Sequence, residues 1–209
     1  MKNQSLLLQE GRLLPVMEEF YSIQGEGYNT GKAAYFLRIG GCDVGCHWCD
    51  VKESWNADTY PLTETDCIIK NIIHCPAKAV VVTGGEPLNY NLDYLCSCLK
   101  QNDITTYLET SGSQKLSGMW DWICLSPKKN NPPLPVIYTK ANELKIIIHD
   151  VSDFDWAEKN AALIGENIIL LLQPEWSRRN KMIPLIVDYI LKNPKWSISL
   201  QSHKYMNIP

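Results

Sequence analysis

A chain of 209 residues, 45% hydrophobic and 21% charged, is long enough for one substantial core and too apolar for general disorder. Its net charge of -3 excludes a large basic footprint, so nucleic acid is not an expected partner; a small anionic substrate needs only one or two local cations. No run of about 18 apolar residues occurs, and the N-terminal stretch is too weak for a secretory signal, so a cytoplasmic location without membrane contact is expected.

Residues 14–23 read as a strand or strand pair leading into Gln24-Gly25-Glu26-Gly27, with a turn over 29–31. Residues 33–39 form a strongly apolar strand that ends at Gly40-Gly41. The run Cys42-Asp-Val-Gly-Cys46-His-Trp-Cys49 follows at once, and then a polar loop over 50–61. A helix is expected from Thr63 to about Cys75, with Asp66 in its first turn. Strand 79–83 stops at Gly84-Gly85-Glu86-Pro87. Helix 92–101 places Leu92, Leu95, Cys96 and Leu99 on one face. Strand 105–109 stops at Thr110-Ser111-Gly112, strand 122–125 at Ser126-Pro127-Lys128, and strand 144–148 precedes a helix over 153–164. Strand 168–172 ends at Gln173-Pro174. Helix 178–191 carries Pro184 either tolerated near its first turns or as a kink, and 197–200 is the last strand. The links 112–122 and 129–140 read as too short, or too rich in proline, for full helices.

Short apolar strands alternating with helices predict an α/β fold with a parallel sheet, in one domain over residues 1–209. The glycine-rich and polar motifs almost all follow strand C-termini, the edge that carries the active site in parallel α/β folds.

Eight cysteines stand at 42, 46, 49, 67, 75, 96, 98 and 124. Disulfide-rich scaffolds are usually smaller and secreted, which argues against pairing, and the last five read mostly as buried thiols. The first three can reach one site from a single loop. Thiolates suit iron–sulfur clusters and zinc. Three of them on a [4Fe–4S] cube leave one iron open for reaction. A structural zinc with His47 or a remote fourth ligand is an alternative, as is an electron-transfer cluster. Arg38 lies inside an apolar strand beside Cys42, so its charge should face a polar cavity, where its planar fork suits a carboxylate. Glu26 accepts, and Gln24 both donates and accepts. Gly25 and Gly27 permit close backbone approach.

The three cysteines followed by GGEP, with Trp48 in the slot before the last cysteine, resemble the radical S-adenosylmethionine enzymes. The resemblance implies that Cys42, Cys46 and Cys49 hold a [4Fe–4S] cluster whose open iron takes S-adenosylmethionine. It assigns Trp48, Gly84, Gly85, Glu86, Ser111, Ser126, Lys128 and Gln173 to that cofactor. The segments 20–27, 36–42 and 199–209 narrow the resemblance, over essentially the whole chain, to the 7-carboxy-7-deazaguanine synthase family. That family implies an incomplete, modified (β/α) barrel, here of about six parallel strands, and a homodimer. It implies ring contraction of 6-carboxy-5,6,7,8-tetrahydropterin to 7-carboxy-7-deazaguanine, with loss of ammonia, in the route to queuosine. A deoxyadenosyl radical would abstract hydrogen from C6, and an electron donor such as flavodoxin or ferredoxin would reduce the cluster. Gln24, Glu26, Gly27, Arg38, His203 and Pro209 match substrate-binding positions. The family often has threonine where Val51 stands, its hydroxyl helping to hold a magnesium ion. Valine has no ligand atom, which leaves the Mg2+ requirement open, with substrate, water, Asp50 and Ser54 as alternative ligands. An activating enzyme that makes a glycyl radical on a protein shares the cysteine pattern, but QGEG, Arg38 and the tail argue against it.

Overall fold

The computed structural model describes residues 2–209, with side chains from residue 4 onward. Helix α1 (Lys2–Gln9) precedes an eleven-residue strand, β1 (Leu13–Ile23), which hairpins onto β2 (Ala33–Ile39). A bulge between Val16 and Glu18 divides β1. Its first residues pair with the short strand β3 (Leu62–Glu64), and its remainder pairs with β2. Then come α2 (Thr65–Ile73), β4 (Ala79–Gly84), α3 (Asp93–Gln101), β5 (Thr105–Thr110), β6 (Trp122–Leu125), α4 (Pro135–Tyr138), β7 (Glu143–Ile148), α5 (Asp153–Ala161), β8 (Ile169–Pro174), α6 (Arg179–Lys192), β9 (Trp196–Ile198) and α7 (Ser202–Met206).

One nine-stranded sheet runs β3-β1-β2-β4-β5-β6-β7-β8-β9. From β2 to β9 every neighbour is parallel, and β1 and β3 are antiparallel. The sheet ends at β3 and β9 without closing, as an incomplete barrel does. The parallel strands number seven, because the three-residue β9 joins the six longer runs.

The helices form where apolar residues recur on one face. Ile68, Ile69 and Ile72 of α2, Leu95 and Leu99 of α3, and Met182 and Ile186 of α6 are buried against the sheet. Acidic residues in the first turns, Asp66, Asp93 and Asp153, and lysines in the last, Lys70, Lys100 and Lys159, favour the helix dipole at both ends. Helix α6 runs through Pro184 without interruption.

The strands divide by face with period two. Leu37, Ile39, Val80, Val82, Leu108, Leu125, Leu144, Ile146 and Leu172 join the helices in the main core. Arg38, Thr83, Glu109, Lys145 and Gln173 point to the other face, which lines the cavity described below. The apparently continuous apolar strands therefore carry a hidden alternation.

Some boundaries differ from the sequence expectation. The helix expected from Thr63 starts at Thr65, because residues 62–64 extend to pair with β1 and Thr65 Oγ1 donates to Gly11 O (2.7 Å). All eight cysteines are free, but Cys67 is exposed rather than buried, on the solvent side of α2. Link 112–122 is helix-free, and link 129–140 contains only the single turn α4.

Candidate active site

A cavity of about 270 Å³ opens between the helix-free face of the sheet and the segments that follow the strand C-termini. Cys42, Cys46 and Cys49 stand on one wall. Two loops without catalytic motifs hold them there. In the first, residues 52–60, Gly41 N donates to Ser54 O (2.6 Å) and Cys42 N to Trp55 O (3.2 Å). In the second, Asn130 Nδ2 donates to Gly45 O (3.4 Å) and Asn131 Nδ2 to Asp43 Oδ2 (3.4 Å). Gln114 Nε2 also donates to Asp43 Oδ2 (2.7 Å).

The three sulfurs do not all come within 4.8 Å of one another. Three thiolates on one zinc, at about 2.3 Å each, would stand about 3.8 Å apart. His47 turns from this cavity into a smaller one, edge-on to His149 with ring centroids 5.2 Å apart. The donor set therefore fits a polynuclear cluster better than a single ion. Burial pushes the Cys42 and Cys46 thiols above their usual range, and metal coordination would overcome that by deprotonating them.

GGEP folds back onto the cysteine loop. Gly84 adopts φ +125°, and a Cβ on Gly85 would lie 2.2 Å from Gly41 O and 3.0 Å from Cys42 Cβ. Only glycine permits that approach. Glu86 is 1% exposed and ties this turn to the next strand end. It accepts from Thr110 Oγ1 (2.6 Å), Ser111 N (2.8 Å), Ser111 Oγ (2.5 Å) and Leu88 N (3.1 Å). Ser126 Oγ accepts from Lys128 Nζ (2.7 Å), which stands 5.7 Å from the centre of the Trp48 ring. Burial lowers the Lys128 pKa. Trp48, Gly84, Gly85, Glu86, Ser111, Ser126, Lys128 and Gln173 all line the cavity.

A second group of lining residues, the carboxylate wall, comprises Gln24, Glu26, Arg38, His203 and Pro209. Arg38 pairs across the hairpin with Glu18 (Nε to Oε1, 3.2 Å), yet its buried Nε makes no hydrogen bond. His203 packs over Gly25, where a Cβ would fall 2.3 Å from Nδ1, and burial lowers its pKa. Gly27 does not reach the cavity. It takes φ +70° against the Glu143 carboxylate and donates from N to Ser199 Oγ (2.9 Å), which fixes the turn.

Glu109 and Lys145 also line this wall, and sequence reasoning missed them. Lys145 Nζ bridges Glu26 Oε2 (2.7 Å) and Glu109 Oε2 (2.9 Å). Gln173 Nε2 donates to Glu26 Oε2 (3.0 Å), Gln201 Nε2 to Glu26 Oε1 (2.9 Å), and Gln24 Nε2 to Glu109 Oε1 (3.3 Å). Burial opposes the Glu26 charge, but Lys145, Gln173 and Gln201 hold its pKa at about 2. Burial raises that of Glu109, which also faces Glu143 and Glu26. The signal that marked Arg38, a charge inside an apolar strand, was equally present at Glu109 and Lys145.

Asp50, next to the last cysteine, accepts from Lys204 Nζ (2.5 Å) and Gln201 Nε2 (3.2 Å), so the C-terminal tail is tied to the cysteine loop. Val51 lines the cavity beside it. Ser54 is buried outside the lining and donates to Val51 O (2.7 Å).

Residues 23–115 match the family described as a 4Fe-4S single cluster domain. The chain is 56% identical over 208 residues to the 7-carboxy-7-deazaguanine synthase of Flavobacterium psychrophilum, covering 100% of this chain and 99% of that one. It is 45% identical to the Synechocystis protein of the same name, over 93% of each. The crystal structure of QueE from Escherichia coli superposes with a TM-score of 0.84 at 28% identity, covering 96% of this chain and 99% of that one. Full-length identity at this level, with one fold, means that the chain belongs to the 7-carboxy-7-deazaguanine synthase family.

Proposed function

We infer that this chain is a radical S-adenosylmethionine lyase. It contracts 6-carboxy-5,6,7,8-tetrahydropterin to 7-carboxy-7-deazaguanine, with release of ammonia. The observation that carries the reading is one cavity lined by the three cysteines together with Arg38, Gln24 and Glu26.

The cluster and S-adenosylmethionine, when bound, supply the one-electron chemistry that starts hydrogen abstraction. The chain's own work is to bind, orient and exclude water. Cys42, Cys46 and Cys49 would hold the cluster, which would supply an open iron for S-adenosylmethionine. Gly84 and Gly85 allow the cofactor close to backbone, and Glu86 locks that turn to Ser111. Ser126, Lys128, Trp48 and Gln173 complete the cofactor side. Arg38 meets the substrate carboxylate, with its Nε still unsatisfied. Gln24 and Glu26 meet the nitrogen-rich edge, His203 and Pro209 close the tail over it, and Gly27 shapes the turn that presents Glu26.

The same proposal takes residues 1–209 as one domain acting as a homodimer and feeding queuosine synthesis. A flavodoxin or ferredoxin serves as electron donor. A cytoplasmic location accords with eight free thiols, which a reducing compartment preserves. Magnesium is held by the substrate and water with Asp50, which lines the cavity while Ser54 does not.

Anaerobic turnover with the carboxytetrahydropterin, S-adenosylmethionine and a reductant tests the reading, with formation of the deazaguanine carboxylate expected. No product from cluster-loaded protein, with and without magnesium, overturns it. Sedimentation of the same sample as a monomer removes the dimer.

A further inference from the structure

Lys145 projects from β7 into the substrate side of the cavity, with 5% of its side chain exposed. Its two partners come from distant parts of the chain. Glu26 lies in the turn after β1, and Glu109 lies on β5, two strands away across the sheet. A third buried carboxylate, Glu143, is nearer in sequence but is engaged elsewhere, accepting from Tyr28 N (2.9 Å) and Trp122 Nε1 (3.2 Å). The ammonium is thus hydrogen-bonded to the two carboxylates that line the cavity and not to the one that does not.

An ionised carboxylate offers about four acceptor positions. Glu26 fills three, with Lys145, Gln173 and Gln201. Glu109 fills two, with Lys145 and Gln24. The unfilled positions are the ones available to a ligand. Two part-buried carboxylates side by side would otherwise repel, and one would tend to protonate and lose acceptor capacity. Burial opposes the Lys145 charge, but Cys124, Glu109, Glu26 and Glu143 around it outweigh that and hold its pKa well above the ordinary value.

We propose that Lys145 is a positioning residue for the substrate. Its ammonium holds Glu26 and Glu109 charged and in one orientation, so that their free lone pairs accept from the amino and ring N–H donors of the pterin. The inference rests on the substrate reading above and deepens it. Lys145 acts through the two carboxylates and touches neither the cluster nor the cysteines.

The test compares wild type, Lys145→Met and Lys145→Arg as cluster-loaded proteins. Anaerobic kinetics give KM and kcat, titration with the carboxytetrahydropterin gives Kd, and iron per chain is measured alongside. Lys145→Met should raise KM and Kd about 10- to 100-fold, the value of one or two hydrogen bonds to charged groups, with a much smaller change in kcat and unchanged iron. Lys145→Arg keeps the charge and should recover much of the affinity. The double variant Glu109→Gln/Lys145→Met removes one charge of each sign and is read in the same way, with a raised KM expected, so a folding defect in the single variant does not protect the proposal. A wild-type KM in either methionine variant overturns it, as does loss of iron and kcat at constant KM. Wild-type protein that ignores the pterin overturns the substrate reading, and this inference with it.

Discussion

The two walls of the cavity are built in opposite ways. The cysteine wall comes from one eight-residue run, held by backbone bonds from loops that carry no chemistry of their own. The carboxylate wall draws Glu26, Glu109, Lys145, Gln173 and Gln201 from the turn after β1, from β5, β7 and β8, and from the tail. The first wall needs only a loop of the right length; the second exists only when the sheet has its final register. Loss of a ligand should therefore abolish chemistry while sparing the fold, whereas loss of a charge on the second wall should cost both binding and stability.

The largest effect should follow Cys42→Ala, with turnover lost and iron content falling sharply, while thermal unfolding of the iron-free protein stays near wild type. Colorimetric iron measurement and calorimetry check this. Lys145→Met should destabilise by about 2–4 kcal/mol, because it leaves two part-buried carboxylates without their cation. Chemical denaturation measures it, and a loss under about 1 kcal/mol would mean that the wall is less coupled than its geometry implies.

Acid should act on the same wall. Glu26 has its folded pKa depressed from 4.5 to about 2. Its contribution is full above the unfolded value and is lost as pH falls towards about 2. The stability gap between wild type and Glu26→Gln, on the order of 3 kcal/mol at neutral pH, should close over that window. Glu109 shifts the other way on the same ammonium, because burial, with the nearby Glu143 and Glu26, outweighs the attraction of Lys145.

Gly85→Ala tests the seam between the walls. Its Cβ would meet Gly41 O at 2.2 Å, so the cysteine loop must move. A stability loss of about 1–3 kcal/mol with reduced iron loading is expected. The smallest effect should come from Lys204→Ala. That substitution breaks a partly exposed ion pair with Asp50, worth about 0.2–1 kcal/mol, and should loosen the tail enough to raise its hydrogen exchange.

Legibility in the sequence followed the same division. The cysteines, GGEP and SPK are contiguous, and their placement after strands was readable from periodicity. Arg38 stood out as a charge in an apolar strand. Glu109 and Lys145 gave the same signal, but Glu109 stood at a strand end before Thr110 and Lys145 near a strand start, where a charge reads as solvated. Strand β3 was hidden because three residues, two of them polar, become a strand only through the partner that β1 offers. Only the family resemblance marked His203, since its neighbours alone read as an exposed tail, and α7 places it over Gly25.

The sequence by itself determined the α/β alternation, the strand ends that carry the motifs and the cysteine loop, because these depend on local periodicity and spacing. Only the tertiary structure decided which charges meet. Glu26 and Lys145 are 119 positions apart, and their 2.7 Å contact depends on sheet register, which no local pattern specifies. It also decided that Asp50, and not Ser54, reaches the cavity, because the turn after Cys49 directs the serine hydroxyl back to Val51 O.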